Sequence, residues 1–252
     1  MGSRSWDSPT GIKTIPSRLP LREGLWARAG RISCAKNTKG RSPLARIRSP
    51  RTVTLPHYFN AVGYNLTMIV INDYNPAWPT EFEVIRLSLL DILGPLALRI
   101  DHIGSTSVPG LGAKDVIDIQ ITVEALAPEV RQRLIEAGYE HSEAITQDHV
   151  PLGEDDDPKL WAKCLFNQPN GRRRANVHVR LEGNPNQRYP LLFRDYLRAH
   201  PNSARTIELI KREIVKRHAD DLEAYYDIKD PVYDLIWEAA RDWSRQTNWQ
   251  PV

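Results

Sequence analysis

The sequence predicts an α+β fold on three observations: an alternating run through Ile117, Ile119 and Ile121, further strand-like segments at 161–166 and 176–181, and helical spacing that takes over after Pro185. Alternation buries one face of a strand and leaves Asp118, Gln120 and Thr122 on the other. Strands first and helices last separate this arrangement from a repeated β-α-β chain.

The elements follow in order. Ile69–Ile71 is a short apolar extended segment, and the prolines of Asp73-Tyr74-Asn75-Pro76-Ala77-Trp78-Pro79 delay any helix until Pro79, a good first-turn residue. Phe82, Ile85, Leu89 and Ile92 then recur at helical spacing until Gly94-Pro95. Strands are expected over 96–103 and 116–123, and a helix over 129–138 that its glycine ends. The turn Gln168-Pro169-Asn170-Gly171 joins the strands at 161–166 and 176–181. Helices are expected over 191–199 and 204–218, and a last one opens at Asp230-Pro231, read as an N-cap with proline behind it. No internal repeat is present.

Charge divides the chain. Residues 1–67 hold 12 Lys and Arg against Asp7 and Glu23, a balance of +10, so the remaining 22 basic and 29 acidic residues leave −7 over 68–252. The first 67 residues are rich in Arg, Ser, Pro and Gly and lack apolar periodicity. They cannot bury enough surface to offset chain entropy and are expected to be disordered. Met68, followed at once by Ile-Val-Ile, reads equally as a native start; an organellar leader is the lesser reading, because Pro9, Pro16 and Pro20 oppose a long amphipathic helix. The expected organisation is an extension at 1–67, a folded domain at 68–245 and a tail at 246–252. The best apolar run, 87–100, is broken by Asp91, Gly94, Pro95 and Arg99, which excludes a membrane span there. Cys34 and Cys164 are too few and too different in setting for a disulfide framework, which fits a reducing compartment and a cytoplasmic location.

The candidate chemistry lies between two predicted strands. Residues 104–112 offer Ser105, Thr106 and Ser107 with small neighbours, starting at Gly104; a backbone that can approach closely and hydroxyl donors are what phosphate oxygens require. Asp118 and Gln120 share one strand face, where paired carboxylates would hold Mg²⁺. Here the second position brings a neutral oxygen and no charge. His178, on a strand that adjoins Asp118 if the two pair, is a candidate base or ligand. Lys114 and Arg174 are candidate phosphate contacts, the first as a point charge and the second through bidentate bonds. Glu154-Asp155-Asp156-Asp157 is read as solvated surface, and His102 as a clamp on the turn it precedes.

The segment His102-Ile-Gly-Ser-Thr-Ser-Val-Pro-Gly-Leu-Gly-Ala-Lys-Asp-Val-Ile-Asp-Ile-Gln120 resembles the GrpB family. So do residues 73–79 and Phe193-Arg194-Asp195-Tyr196-Leu197-Arg198-Ala199-His200-Pro201, which spreads the likeness over roughly the whole predicted domain. The resemblance implies a nucleotidyltransferase-like mixed β-sheet core with flanking helices and a C-terminal helical part. It also implies that Gly104 and Ser105 face a triphosphate, that Asp118 is a metal-binding acid, and that there is a functional link to dephospho-CoA kinase. Asp115 stands where the family pattern has proline, a change expected at the loop edge. Two functions follow as expectations. One is Mg²⁺-assisted nucleotidyl transfer from a nucleoside triphosphate to a small acceptor; the other is a phosphate- or nucleotide-binding module without turnover. Nucleic-acid binding is not expected of the acidic folded domain, because the excess positive charge sits in 1–67.

Overall fold

The computed structural model describes residues 68–251; the expectations for residues 1–67 lie outside them. In chain order the elements are α1 (Trp78–Leu93), β1 (Arg99–Ile103), β2 (Ile117–Val123), α2 (Pro128–Glu136), β3 (Glu140–His141), α3 (Pro158–Trp161), β4 (Lys163–Asn167), β5 (Ala175–Leu181), α4 (Pro185–Ala199), α5 (Pro201–His218) and α6 (Leu222–Thr247). The strands form one sheet in the order β1-β2-β5-β4-β3. β2 and β5 run parallel at its centre, and the other pairings are antiparallel. The expected α+β architecture, a mixed sheet with flanking helices and a helical C-terminal part, is the one observed.

Period two gives this sheet two unlike faces. Ile117, Ile119, Ile121 and Val123 point with Ala175, Val177 and Val179 toward α1 and α2. There they meet Phe82, Ile85, Leu89 and Leu93 at helical spacing on α1, and Val130 and Leu134 on α2. Each fully buried isoleucine or leucine contributes about 1.5–3 kcal/mol. The opposite face carries Asp101, Asp118, Gln120, Asn176, His178, Arg180 and Lys163, and α4, α5 and α6 lie on that side.

Several boundaries differ from the sequence reading. The chain from 94 to 96 makes a 3-10 turn, so β1 starts at Arg99; Trp161 closes α3 rather than opening a strand, its indole donating to the Asp155 carbonyl at 2.7 Å. β3, only two residues long, had no apolar run to announce it. α4 begins six residues earlier than expected, at Pro185, and its first turn is anchored by Asn186, whose amide donates to Asp148 and the Ala162 carbonyl, both at 3.0 Å.

The largest correction concerns Asp230-Pro231, which is not a helix start. α6 is capped by Asp221, whose carboxylate accepts from the Ala224 amide at 2.9 Å, and it runs through Pro231. An internal proline removes one helical N–H and crowds the carbonyl four residues back. The helix continues because its inner stripe, Tyr226, Lys229, Tyr233 and Trp237, is held by contacts with the rest of the domain.

Candidate functional site

The turn after β1 and the second residue of β2 are in direct contact. Gly104 has φ +69°, and a Cβ placed on it would lie 2.4 Å from Asp118 Oδ2. Only glycine meets both constraints, since a side chain is strained at that φ and has no room. The carboxylate and the serine-bearing turn therefore share one side of the sheet. Asp118 Oδ1 accepts from the Asn176 amide at 2.9 Å, across the β2–β5 register. Burial raises the Asp118 pKa; the Asn176 hydrogen bond and the charges of Lys114, Lys229 and Arg180 oppose that rise without cancelling it.

The three hydroxyls of the turn have different roles. Thr106 is buried, with its hydroxyl 3.0 Å from His102 Nε2, and Ser107 donates to the Gly104 carbonyl at 2.6 Å. Both hold the turn's own shape. His102 also stacks on Phe82 with ring centroids 4.8 Å apart, and burial, aided by Arg198 and Arg194, pushes its pKa down to about 3. That matches the clamp expected of it. Ser105, half-buried, points instead toward the helices, where its oxygen accepts from Lys211 Nζ at 3.1 Å.

The C-terminal helices grip this loop. Arg198 donates to the Ser107 carbonyl, Arg194 to the His102 carbonyl, and Lys211 to the Gly112 carbonyl at 2.6 Å. Glu208 accepts from the Gly112 amide at 2.9 Å, and a side chain on that glycine would displace its carboxylate. Asp115 accepts from the Trp78 indole at 2.8 Å and from Arg173, which ties the end of the loop to α1.

Three lysines act on Tyr233, and one of them, Lys211, is the donor to Ser105. Lys229 Nζ lies 3.9 Å from the centroid of the Tyr233 ring and 2.6 Å from Asp230. Lys114 donates to the Tyr226 hydroxyl at 2.9 Å and lies over the Tyr225 and Tyr226 rings. Lys211 is 2% exposed, an expensive position for a charge unless it is well bonded. Burial works to raise the Tyr233 pKa, but Lys211, Lys229, the Ser105 hydrogen bond and Lys114 outweigh it and hold the phenol below its ordinary value. Gly104, Ser105, Lys114, Asp118, Asn176, His178, Tyr226, Lys229 and Tyr233 all remain partly exposed, so the cluster borders solvent.

Beside it lies a second polar network. Asp148 accepts from Arg180 at 2.8 and 2.9 Å, from Lys163 at 2.7 Å and from Asn186 at 3.0 Å. Burial opposes its ionisation, yet Arg180 and Lys163 hold its carboxyl well below the usual carboxylate range. His178 pairs in register with Gln120 rather than with Asp118, and its Nδ1 lies 3.3 Å from Arg180 and 3.5 Å from Lys163. Burial and these two cations keep the imidazole neutral, with its lone pair turned to them. Gln120 is fully buried; its oxygen accepts from Arg180 at 2.9 Å and its amide donates to the Gln187 carbonyl at 2.9 Å.

These residues do not fit the two-ion Mg²⁺ site that the resemblance implies. Gln120, expected to lend an oxygen to a metal, has that oxygen bonded by a guanidinium, and Asn176 turns an N–H toward Asp118. A hard divalent ion needs convergent oxygen lone pairs. Among the described residues no group of three or more His, Cys, Asp and Glu side chains is arranged to hold a metal. Of the expected phosphate contacts, Gly104, Ser105 and Lys114 border the cluster, Thr106 and Ser107 are turned inward, and Arg174 is exposed, its carbonyl accepting from the Ile117 amide. Glu154 accepts from the Trp237 indole and from Arg241, and Asp157 caps α3.

Sequence reasoning did not reach Lys211, Lys229, Tyr233, Asn176, Arg180 or Asp148. Some signals were present. Asn176 and Arg180 flank His178 at period two; Lys211 interrupts the apolar stripe Ile207, Ile214; and Tyr226, Lys229 and Tyr233 share one helical face. Nothing local marks Asp148, which lies outside any helix or strand.

A mixed five-stranded sheet with a glycine–serine turn packed on a strand aspartate defines an α+β domain whose polar sheet face is covered by C-terminal helices. The chain belongs to the GrpB family: residues 68–239 match the family described as GrpB protein. It is 38% identical over 191 residues to a protein named dephospho-CoA kinase from Mycolicibacterium paratuberculosis, covering 70% of this chain and 47% of that protein. It is 34% identical to the UPF0157 protein YqkA of Bacillus subtilis, covering 69% of this chain and 48% of that one. The chain spans about half the length of these curated relatives. Among solved structures, the conserved protein GrpB from Enterococcus faecalis matches with a TM-score of 0.56 and 30% identity, covering 69% of this chain and 99% of that one.

Proposed function

We propose that the domain, taken as residues 68–245, binds a small phosphate-bearing ligand of the nucleotide type between the polar face of the sheet and α6. The observation that carries this reading is the gathering of Lys114, Lys211 and Lys229 around Tyr226 and Tyr233, with Lys211 bonded to Ser105, beside the Gly104–Asp118 contact. Ammonium groups and a hydroxyl meeting at a mostly buried site that borders solvent supply the donors and counter-charge that a phosphate requires.

Mg²⁺-assisted nucleotidyl transfer is the second reading, favoured by the order of turn, strand and Asp118. In it Asp118 would hold the ion and His178 would take the acceptor's proton. The neutral, cation-facing imidazole and the single carboxylate make binding without turnover the better supported of the two. The relatives named dephospho-CoA kinase make dephospho-CoA and CoA worthwhile ligands beside the nucleotides, and a cytoplasmic setting suits them.

The test is calorimetric titration of the full chain with nucleoside mono-, di- and triphosphates, dephospho-CoA and CoA, with and without Mg²⁺, alongside a pyrophosphate-release assay. Binding heat without sustained pyrophosphate release is expected. Metal-dependent release that vanishes in Asp118→Ala would replace the module with the transferase.

A further inference from the structure

The site has more positive charge than its carboxylates can match. Asp118 is acted on by Lys114, Lys229 and Arg180, and it acts in turn on Lys163; Lys211 lies within reach of Lys114 and Lys229. Arg212, which Asp73 and Glu208 share, makes a sixth cation because Glu208 also acts on Lys211, and against the six stand Asp73, Asp118, Asp148, Glu208 and Asp230. One positive charge remains over, before any protonation of Asp118 is counted. The groups that border Asp118 also present hydrogens rather than lone pairs: the amide of Asn176 bonds it, and the guanidinium of Arg180 caps Gln120.

Resting on the phosphate-binding reading above, we infer that Lys114, Lys211 and Lys229 take the place of the divalent ion, so that the pocket accepts a phosphomonoester dianion directly and without metal. A phosphate anion meets that surplus. Ser105, already bonded to Lys211, lies where a phosphate oxygen could join the same chain of donors. Asp118 then has a role opposite to that of a metal ligand. It is an acid facing an anionic ligand, and its charge weakens binding rather than enabling it. A Mg²⁺ ion placed there would meet one carboxylate already bonded by an amide, with ammonium and guanidinium groups around it.

The sign of one substitution separates the two arrangements. AMP and inorganic phosphate are titrated into the full chain by calorimetry in EDTA and again in Mg²⁺, and Mg²⁺ alone is titrated as a control. The expected result is that AMP binds equally in both buffers, that Mg²⁺ alone gives no saturable heat, and that Asp118→Asn binds AMP as well as or better than the parent. Lys229→Met and Lys114→Met should each weaken AMP roughly tenfold to a hundredfold, the range for a lost charge-assisted hydrogen bond. Lys229→Arg should retain much of the affinity. Circular dichroism identifies any variant that fails to fold, and because Lys114 is only half-buried, its variant serves if the Lys229 variant does not fold.

AMP binding that requires Mg²⁺, or that Asp118→Asn abolishes, overturns this inference and leaves the phosphate-binding function intact. Binding in EDTA that both lysine variants leave unchanged overturns it as well. If neither probe binds in either buffer, the phosphate-binding function itself falls.

Discussion

The two faces of one sheet contrast sharply. Toward α1 and α2 the side chains are isoleucine and valine, and their partners need only be apolar and of the right volume. Toward α4–α6 nearly every side chain is charged or amidic and is fixed by a directed bond to a residue far along the chain: Gln120 to Arg180, Arg180 to Asp148, Asn186 to Asp148, Ser105 to Lys211. The first face supplies cohesion without specificity. The second supplies little net stability, since burying ions costs about what their pairing returns, but it fixes each group in one place. A ligand site can be built only on a face of that kind.

The sharpest way to break the contrast is to remove one partner from each face. Arg180→Met leaves Asp148 and Gln120 without their donor in a buried setting and should cost about 3–5 kcal/mol. Leu89→Ala on the apolar face should cost about 2–5 kcal/mol, by lost burial plus a cavity. Urea unfolding measures both. If Arg180→Met falls below 1 kcal/mol, the polar face is not the interlocked network described.

A smaller effect is expected at the junction of turn and strand. Gly104→Ala places a methyl group against Asp118 at a strained φ and should cost about 1–3 kcal/mol. It should also lower ligand affinity by displacing the carboxylate and Ser105 together, whereas Gly153→Ala, also at positive φ but with nothing near its Cβ, should leave affinity unchanged. Equal affinity losses in the two variants would sever the link between the Gly104 contact and the site.

The last effect is graded rather than a single step, and lies in the pH dependence of stability. His102 titrates near 3 in the fold and near its ordinary value when unfolded, so the unfolded chain binds the extra proton as pH falls below about 6.5. Stability from this group is full above that pH and is lost downward toward 3, by at most about 1.4 kcal/mol per pH unit. His102→Gln should flatten that slope. Asp118, raised in the fold, has the opposite sign: the folded chain keeps its proton longer, so stability falls as pH rises past the ordinary carboxylate range. Asp118→Asn should remove that fall, and unfolding curves from pH 4 to 8 measure both.

How much of this could be read in advance follows from the same contrast. α1 and the apolar half of β2 were legible because burial imposes a period, 3.6 or 2, that a short window of sequence displays. The Gly104–Asp118 pairing was legible through the family likeness and the spacing of turn and strand. α6 was misread because Asp230-Pro231 carries a strong local start signal, and contacts on the helix's inner face override it.

By itself the sequence determined the α+β class, the uneven charge, the apolar core and the turn that precedes the aspartate, because each depends on local composition or on periodicity. Only the tertiary structure decided that Lys211 and Lys229, more than 90 residues beyond that aspartate, gather beside its turn, and that Arg180 rather than a metal meets Gln120. A hydrogen bond or an ion pair needs a few ångströms and a defined angle, and no spacing along the chain encodes either until the helices have packed.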